Sequence, residues 1–259
     1  MTRHRNRVAL VTGAGSGIGA ATALLLAKEG AHVCCADLQY SAVEETVRLI
    51  IGQGGHASPH LLDVREEPQW EAMLEEVRRA YGPLAILVHC AGISAASPIA
   101  DTPLTEWRRV FATNLDGAFL ATKHGVRAMR EYAGVIIHIG SAAGVRPPAG
   151  AAAYSTSKAA VGMLVRAAAK ECREAGLPIR ICAVSPAGVR TPMWRSMPFF
   201  QDLMAQAGSE QAAFEALEQA NGERFAEPEE VARAVAFLAS DDARNINGIE
   251  LLVDGGFAL

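Results

Sequence analysis

Residues 8–30 read VALVTGAGSGIGAATALLLAKEG, which is an apolar run, a glycine-rich turn and a segment rich in alanine and leucine. The run has the length and β-branched content of a buried strand, and the segment after the turn is long enough for a helix. Glycines here permit a tight turn and let a pyrophosphate approach the backbone, while the helix begins with unpaired N–H groups. The stretch therefore predicts a strand, a phosphate-binding turn and a helix.

The glycine spacing in this turn reads G-x-x-x-G-x-G through Gly13, Gly17 and Gly19. It departs from the G-x-G-x-x-G fingerprint of dinucleotide-binding folds, and glycines also serve ordinary loop geometry. The position between a strand and a helix nevertheless favours nucleotide binding. We predict that Ser16 and Ile18, inside the turn, also contact the cofactor.

The rest of the chain alternates short apolar runs with longer helical patterns. Because the runs are continuously apolar, both faces of the sheet are expected to be buried, and regular alternation implies right-handed crossovers in a parallel sheet. The sequence predicts one three-layer α/β/α domain over residues 1–259, with a doubly wound, mostly parallel sheet of Rossmann type. Further strand candidates are AHVCCAD, HASPHLLDV, LAILVHCAG, GVIIHIGS, PIRICAVSP and GIELLVDGG, and helix candidates include 17–30, 66–81, 105–132 and 153–175.

The region 186–226 interrupts this alternation. A long insertion after a late strand is usually a functional lid, so we predict an apolar lid near 190–222. Its segment 193–204 reads MWRSMPFFQDLM, which favours a bulky hydrophobic substrate over a sugar or a short polar acid. The alternative is that these apolar side chains only pack the lid onto the body.

The composition excludes several classes of protein. Half of the residues are hydrophobic and a fifth are charged, as in soluble globular proteins. The net charge of -4 gives no nucleic-acid-binding surface, and no apolar run approaches the ~20 residues of a membrane span. We expect a cytoplasmic protein. Buried free thiols, and no metal site, are expected from five cysteines without CxxC spacing, Cys34, Cys35, Cys90, Cys172 and Cys182.

Two aspartates bear on the choice of cofactor. Asp37 ends the second strand candidate, where a carboxylate can accept both ribose hydroxyls of NAD and repels the 2′-phosphate of NADP. Leu38 supplies no cation for such a phosphate, so NAD is favoured, although Asp37 is also a possible helix cap. Asp63 and Val64, after the third strand, are predicted at the adenine edge, with a cap for the helix near Glu66 as the alternative.

A third group of residues points to proton transfer. Tyr154 and Lys158 are four residues apart and share one face of a predicted helix. A phenol, with an ordinary pKa near ~10, is a poor base at neutral pH, but a nearby cation favours the phenolate. Ser141 ends a strand, where the crevice of a parallel sheet lies, and can hold a substrate oxygen. Taken singly, each residue also has an ordinary structural interpretation.

Together these motifs resemble the short-chain dehydrogenase/reductase family, in its branch of single-domain enzymes. The resemblance spans essentially the whole chain, in the family's order. It rests on TGAGSGIG (12–19), the AG of HCAG (89–92), FATNLDGAF (111–119), Ser141, YSTSK (154–158) and VDGG (253–256).

The resemblance implies a role for each of four residues. Tyr154 would be the acid/base and Ser141 the donor to the substrate oxygen. Lys158 would tune Tyr154 and bind the nicotinamide ribose, and Asn114 would organise a water relay from Lys158. It also implies a homotetramer. The expected cofactor contacts are Gly13, Ser16, Gly17, Ile18, Gly19, Asp37, Leu38, Asp63, Val64, Ala91, Gly92, Tyr154, Lys158, Pro186, Gly188, Val189 and Thr191.

The chain departs from the family pattern at two places. His89 and Cys90 stand where the family usually has two asparagines, and they are expected to replace hydrogen bonds between neighbouring strands only in part. The second departure is SPAGVRTPM (185–193), in which the glycine of Pro-Gly-x-Val-x-Thr is displaced by one residue. Val189 is still expected to meet the nicotinamide carboxamide through its backbone, and Thr191 through its hydroxyl.

The predicted activity is hydride transfer between NAD(H) and a hydrophobic secondary alcohol or ketone of the hydroxysteroid or cyclic type. Within enzymes, the alternative is a 3-oxoacyl-thioester reductase, which usually uses NADPH. Outside enzymes, the alternative is an NAD-binding sensor or scaffold. No nucleic-acid or membrane partner is expected.

Overall fold

A computed structural model describes residues 2–259 and contains one seven-stranded sheet in which every neighbouring pair is parallel. The spatial order is β3-β2-β1-β4-β5-β6-β7. This confirms the predicted fold and all seven strand candidates. The strands are β1 Val8–Thr12, β2 His32–Asp37, β3 His56–Leu61, β4 Leu84–His89, β5 Gly134–Ile139, β6 Ile179–Pro186 and β7 Glu250–Val253.

Helices cover both faces of the sheet. The apolar core on one face includes side chains of α1, α2 and α9, and the core on the other includes side chains of α3, α5 and α6. Both faces are thus buried, as the continuously apolar strands predict. The helices are α1 Gly17–Lys28, α2 Tyr40–Gly52, α3 Glu67–Tyr81, α4 Leu104–Phe111, α5 Gly117–Met129, α6 Ala152–Glu174, α7 Pro198–Ala207, α8 Glu210–Asn221 and α9 Pro228–Ala239.

The strand order reverses between β1 and β4. The chain runs outward from β1 to β3 and then returns to place β4 on the other side of β1. In an open parallel sheet, ligands bind outside the carboxyl ends of the strands at such a reversal. The segments that follow β1, β4, β5 and β6 all leave this edge, so the fold brings their residues to one crevice.

The helix predicted over 105–132 is interrupted. A π-helical turn, Ala112–Asp116, joins α4 to α5. Such turns contain one residue more than a regular turn and often lie at functional sites. Asn114 is at the centre of this turn and is almost fully buried.

The predicted lid is helical. It consists of a 3-10 turn, Pro192–Ser196, followed by α7 and α8, and we call residues 192–221 the lid. The aromatic residues of the lid form a separate cluster with Phe225, which follows it; Phe200, Phe214 and Phe225 are buried and Trp194 packs against all three. The apolar side chains of the lid are therefore largely used in a cluster of their own, whereas the alternative interpretation expected them to pack onto the body.

The prediction of buried free thiols is confirmed for four cysteines. All five are free, but Cys90 is only partly buried. Within residues 2–259, no helix is both long and apolar enough to cross a bilayer.

We predict that Phe200→Ala destabilises the lid. Phe200 has no exposed surface and lies 4.8 Å, centroid to centroid, from the ring of Phe214. Removing such a buried ring costs about 3–5 kcal/mol, because transfer and cavity terms add. Hydrogen exchange of α7 and α8, together with the melting temperature, measures the loss.

The matched control is Phe199→Ala, since Phe199 is the neighbouring ring and is 44% exposed. This variant should lose much less stability. If Phe200→Ala instead raised KM for a substrate with lid exchange unchanged, Phe200 would have to face the crevice.

Candidate active site

The glycine turn after β1 has no space for side chains. Gly13 has φ +67°, and a Cβ on it would lie 2.7 Å from the backbone nitrogen of Ala91. A Cβ on Gly19 would lie 2.0 Å from the carbonyl oxygen of Gly13. The turn therefore lies directly against the segment after β4, and these glycines are required by close approach.

The amino end of α1 is open toward this turn. Ser16 is the N-cap residue, but its side chain makes no capping hydrogen bond, and it is exposed. A Cβ on Gly17 would lie 3.1 Å from the methyl carbon of Thr191, so the loop after β6 reaches the same turn. Unpaired N–H groups and the positive end of the helix dipole suit a pyrophosphate at this point.

Asp37 lies beside the glycine turn at the end of β2. Its Oδ2 accepts a hydrogen bond from the Gly15 N–H at 3.1 Å, and its Oδ1 accepts one from Gln39 N–H at 3.0 Å. The N-cap residue of α2 is Gln39, so Asp37 is not the cap. Leu38 is 60% exposed and brings no charge to this surface.

Asp63 forms a salt bridge with Arg65. Its carboxylate accepts hydrogen bonds from the Arg65 guanidinium, at 2.8 Å from Nε to Oδ1, and this contact lowers the pKa of Asp63. The N-cap of α3 is Glu66, so Asp63 does not cap that helix. Val64 is buried, and its carbonyl accepts a hydrogen bond from the Trp70 indole at 3.0 Å.

Ser141, Tyr154 and Lys158 come together at the carboxyl end of β5. Ser141 begins a 3-10 turn over Ala142–Gly144, and its Oγ accepts a hydrogen bond from Ala143 N–H at 3.2 Å. A Cβ on Gly144 would lie 2.8 Å from the backbone nitrogen of Ala159, so this turn packs directly on α6. That close approach brings the Ser141 hydroxyl to the Tyr154 phenol.

The protonation of Tyr154 and Lys158 is set mainly by burial. Burial raises the pKa of Tyr154, and a hydrogen bond with the Ser141 hydroxyl opposes the shift. Burial also lowers the pKa of Lys158, to about 8. The Lys158 Nζ lies 5.8 Å from the centroid of the Tyr154 ring and donates to the Ile139 carbonyl at 2.8 Å. Burial thus moves the two pKa values apart, and the expected lowering of the Tyr154 pKa by Lys158 is not seen, because burial of the phenol dominates.

Asn114 fixes the strand-end segment opposite Tyr154. Its Oδ1 accepts from Ile93 N–H at 2.8 Å, and its Nδ2 donates to the Ile93 carbonyl at 2.9 Å and to Ser157 Oγ at 3.0 Å. Ser157 Oγ donates in turn to the Tyr154 carbonyl at 2.7 Å. The side chain thus ties α6 to the segment after β4, and its predicted role in a water relay from Lys158 stays a prediction.

Ala91 and Gly92 lie between these groups and the glycine turn. Ala91 N–H donates to Thr12 Oγ1 at 3.3 Å. A Cβ on Gly92 would lie 3.3 Å from Asn114 Oδ1 and 3.4 Å from Lys158 Nζ. The glycine therefore lets the asparagine and the lysine approach the predicted cofactor crevice from one side.

His89, which stands where an asparagine was expected, joins two strands. Its Nδ1 is 2.9 Å from Thr12 Oγ1, which links β4 to β1 at the reversal point. The ring of His138, its register partner on β5, is 5.6 Å away. Thr122 Oγ1 donates to the Ala118 carbonyl at 2.8 Å, so it accepts from His138 Nε2 at 2.9 Å. The His138 proton is thereby assigned to Nε2.

Both histidines are neutral. Burial lowers the pKa of each, that of His138 to about 3, and the Lys158 ammonium contributes to both shifts. Burial also raises the pKa of the adjacent Cys90 thiol to about 12. His89 and Cys90, which replace the asparagine pair, are thus both uncharged. The Thr12–His89 contact fixes this part of the crevice.

Comparison with known proteins identifies the family. The sequence model of the enoyl-(acyl carrier protein) reductase family matches residues 13–258. The chain is 34% identical to 3-oxoacyl-[acyl-carrier-protein] reductase of Thermotoga maritima, with 99% of this chain and 100% of the relative covered. The chain belongs to the short-chain dehydrogenase/reductase family.

Two further comparisons agree. Cyclopentanol dehydrogenase of Comamonas sp. is 36% identical, with 99% of each chain covered. The crystal structure of a short-chain type dehydrogenase/reductase from Mycobacterium marinum superimposes with a TM-score of 0.87 at 33% identity, covering 99% of this chain and 97% of that one.

Short-chain dehydrogenase/reductases typically use a nicotinamide cofactor, and the crevice suits one. Side chains on Gly13 and Gly19 would fill the turn, and the amino end of α1 is uncapped. On the predicted cofactor surface, the glycine turn, Asp37, Gly92, Lys158 and Thr191 border the same edge of the sheet.

A cavity of about 560 Å³ lies at the opposite edge of the sheet, where β4, β5 and β6 begin. Two of the four arginines that line it bind carbonyl groups at the end of α9. Arg7 donates to the Ala239 carbonyl at 3.1 Å, and Arg180 donates to the carbonyls of Leu238 and Ser240 at 2.8 and 3.2 Å. Cations at a helix carboxyl end offset its dipole, so we assign this cavity a structural role in this short-chain dehydrogenase/reductase.

Several residues that hold the crevice of this short-chain dehydrogenase/reductase in place could not be predicted from the sequence. Ile93 contributes only its backbone, and Ser157 lies within YSTSK but carries no distinguishing pattern. His138 has a partial signal, since it is a polar residue inside the apolar run GVIIHIG. A histidine buried in a strand needs a partner, which the structure supplies as Thr122.

We predict that His138 makes the fold sensitive to acid. Its folded pKa of about 3 is below its unfolded value near ~6.5, so its neutral form stabilises the protein above that unfolded value. Stability is lost as pH falls from there toward the folded pKa, by up to about 1.4 kcal/mol per pH unit.

Denaturant unfolding at pH 6.5, 5.5 and 4.5 measures this slope. The slope should be shallower in His138→Phe, and His56→Phe, at an exposed position, is the control. A slope equal to that of the wild type in His138→Phe would show that the buried imidazole does not determine the acid response.

Proposed function

We propose that this oxidoreductase transfers a hydride between NAD(H) and a hydrophobic secondary alcohol or ketone of the cyclic or hydroxysteroid type. The observation that carries the reaction is the convergence of Ser141, Tyr154 and Lys158 beside the glycine turn. The Ser141 hydroxyl opposes the rise of the Tyr154 pKa, and this influence supports their joint action on one oxygen atom. An NAD-binding sensor or scaffold would not need this arrangement.

The proposed mechanism divides the work among these residues. The Ser141 hydroxyl donates a hydrogen bond to the substrate oxygen and orients it toward Tyr154. The Tyr154 phenolic oxygen removes the hydroxyl proton during oxidation and returns it during reduction. Bound NAD supplies the hydride acceptor. The Lys158 ammonium stabilises the negative charge on the phenolate and is placed to bind the nicotinamide ribose.

The protonation states indicate how rate depends on pH. The raised pKa of Tyr154 keeps the phenol protonated at neutral pH, which suits donation to a ketone. Alcohol oxidation requires the phenolate, so its rate is expected to rise with pH. Lys158, with a pKa of about 8, loses its charge over the same range, which limits this rise.

NAD is favoured over NADP by the charge beside the glycine turn. The Asp37 carboxylate, fixed by the Gly15 and Gln39 N–H groups, would repel a 2′-phosphate and keeps lone pairs for ribose hydroxyls. The exposed aliphatic side chain of Leu38 offers no compensating cation.

The substrate class is supported by two features. Val145, on the turn after Ser141, is 54% exposed, and Phe199, on the lid, is 44% exposed, so both present apolar surface. The relative from Comamonas is a cyclopentanol dehydrogenase. The second candidate, reduction of a 3-oxoacyl thioester, is supported by the Thermotoga relative and opposed by Asp37.

We extend the proposal to a cytoplasmic homotetramer. Phe119 on α5 and Met163 on α6 are 49% and 60% exposed. Large apolar side chains on the outer surfaces of helices suit contact with further copies of the chain.

We predict that Tyr154→Phe removes nearly all turnover. The test is NADH formation from cyclopentanol, hydroxysteroids and hydroxyacyl thioesters, with the cyclic or steroid alcohols expected as substrates. The variant should lose about 100-fold or more in kcat, because it lacks the proton carrier, while NAD affinity changes little. Turnover above about a tenth of wild type would require another base, and selective turnover of the thioester would favour the second candidate.

We predict that Asp37→Ala shifts cofactor choice toward NADP. Removing the like charge should lower the ratio of kcat/KM for NAD over NADP by about tenfold, which corresponds to ~1.4 kcal/mol. Glu75→Ala is the control, since this exposed carboxylate on α3 is paired with Arg78 and is not among the predicted cofactor contacts. A wild type that prefers NADP would contradict the proposed role of Asp37.

A further inference from the structure

The loop after β6, residues 188–191, is joined by backbone pairing to Ala226, in the segment that follows the lid. Ala226 N–H donates to the Gly188 carbonyl at 2.8 Å, and Arg190 N–H donates to the Ala226 carbonyl at 2.9 Å. This is the hydrogen-bond pattern of a parallel bridge between Val189 and Ala226. In such a bridge the hydrogen bonds to Ala226 are made by Gly188 and Arg190, the residues on either side of Val189. The Val189 N–H points away from Ala226.

Aromatic packing holds the same loop from the lid side. The Trp194 indole N–H donates to the Val189 carbonyl at 2.9 Å, and its ring is stacked on Phe225 at 5.1 Å between centroids. A Cβ on Gly188 would lie 2.1 Å from a ring carbon of Phe225. Gly188, the displaced glycine of SPAGVRTPM, therefore leaves the space that the Phe225 ring occupies.

The Arg190 side chain makes the most extensive polar contacts of this loop. One guanidinium nitrogen donates to Gln211 Oε1 at 2.7 Å and another to Glu218 Oε1 at 2.8 Å, both on α8. Its Nε is 3.5 Å from Glu227 Oε1, and the guanidinium lies 5.4 Å from the centroid of the Phe214 ring. Only 16% of the side chain is exposed.

Glu218 joins these two sets of contacts. The oxygen that accepts from Arg190 also accepts from Phe225 N–H at 2.8 Å. The Arg190 hydrogen bond is the main cause that lowers the pKa of Glu218, so the carboxylate is charged at neutral pH. Charge-assisted hydrogen bonds in a largely enclosed site are strong and directional.

We propose that Arg190 and Glu218 form a clasp that positions residues 188–191 for the nicotinamide end of the cofactor. Arg190 is a positioning residue: its side chain binds the lid, its neighbour Thr191 lies beside Gly17 of the glycine turn, and its neighbour Val189 is buried in the core. The inference rests on the proposed function, in which those neighbours meet the carboxamide. It assigns the lid a second task, which is to hold the reactive end of the cofactor in place.

The clasp acts on one half of the cofactor only. The adenosine half meets the glycine turn and Asp37, which have no hydrogen bond to Arg190 or Glu218 within residues 2–259. ADP-ribose contains that half and the second ribose but lacks nicotinamide. Loss of the clasp should therefore weaken NAD binding and leave ADP-ribose binding nearly unchanged.

The test compares the affinities of the full-length protein for NAD and for ADP-ribose, by calorimetric titration. Arg190→Met should weaken NAD binding by about tenfold and ADP-ribose binding by less than about twofold. Arg190→Lys should recover part of the loss, because an ammonium can pair with Glu218 but cannot form the two-armed contact. Glu218→Gln keeps the side-chain shape and should weaken NAD binding in the same direction.

The matched control is Arg195→Met. Arg195 also binds a glutamate of α8, with its Nε 2.8 Å from Glu210 Oε1, but its side chain makes no hydrogen bond to residues 188–191 in the described chain. The ratio of the two affinities should stay at the wild-type value in this variant.

Two results would overturn the clasp. One is that Arg190→Met and Glu218→Gln bind both NAD and ADP-ribose as the wild type does. The other is that both affinities fall equally in these variants, which would indicate general damage to the fold. Failure of the proposed function looks different, since the wild type would then bind neither compound or would bind NAD no better than ADP-ribose.

Discussion

The architecture of the crevice depends on the contact between the turn after β1 and the segment after β4. The Cβ that Gly13 lacks would lie 2.7 Å from the Ala91 backbone, so the two strand ends meet with no side chain between them. The Thr12 hydroxyl reinforces the contact through Ala91 N–H and His89. This approach fixes where Gly92 lies, and Gly92 in turn admits Asn114 and Lys158. A larger separation would move the predicted cofactor surface away from Ser141, Tyr154 and Lys158.

Much of the fold and the centre of the site could be predicted because their signals are local. Each strand is a continuous apolar run, and Tyr154 and Lys158 share one helix face at a fixed spacing. Asn114 is different, because the π-helical turn that places it depends on contacts with Ile93 and Ser157, which are remote in sequence. Arg190 is one basic residue in an irregular stretch, and its partners follow it by 21 to 37 residues.

The lid shows why composition alone was ambiguous. The letters of MWRSMPFFQDLM are equally compatible with a substrate-facing surface and with internal packing. Only the arrangement of α7 and α8 decides that Phe200 lies inside the aromatic cluster and Phe199 outside it. The same holds for His89, whose partner Thr12 is 77 positions earlier in the chain.

The π-helical turn at Ala112–Asp116 has a consequence for how this chain tolerates insertions and deletions. A regular helix advances by about 100° per residue, so removing one residue from the turn would rotate everything on one side of it by that angle relative to the other. Asn114 would leave Ile93, or α5 would present different residues to the sheet. The length of the segment between Leu104 and Met129 is therefore under tighter constraint than the identity of most of its residues.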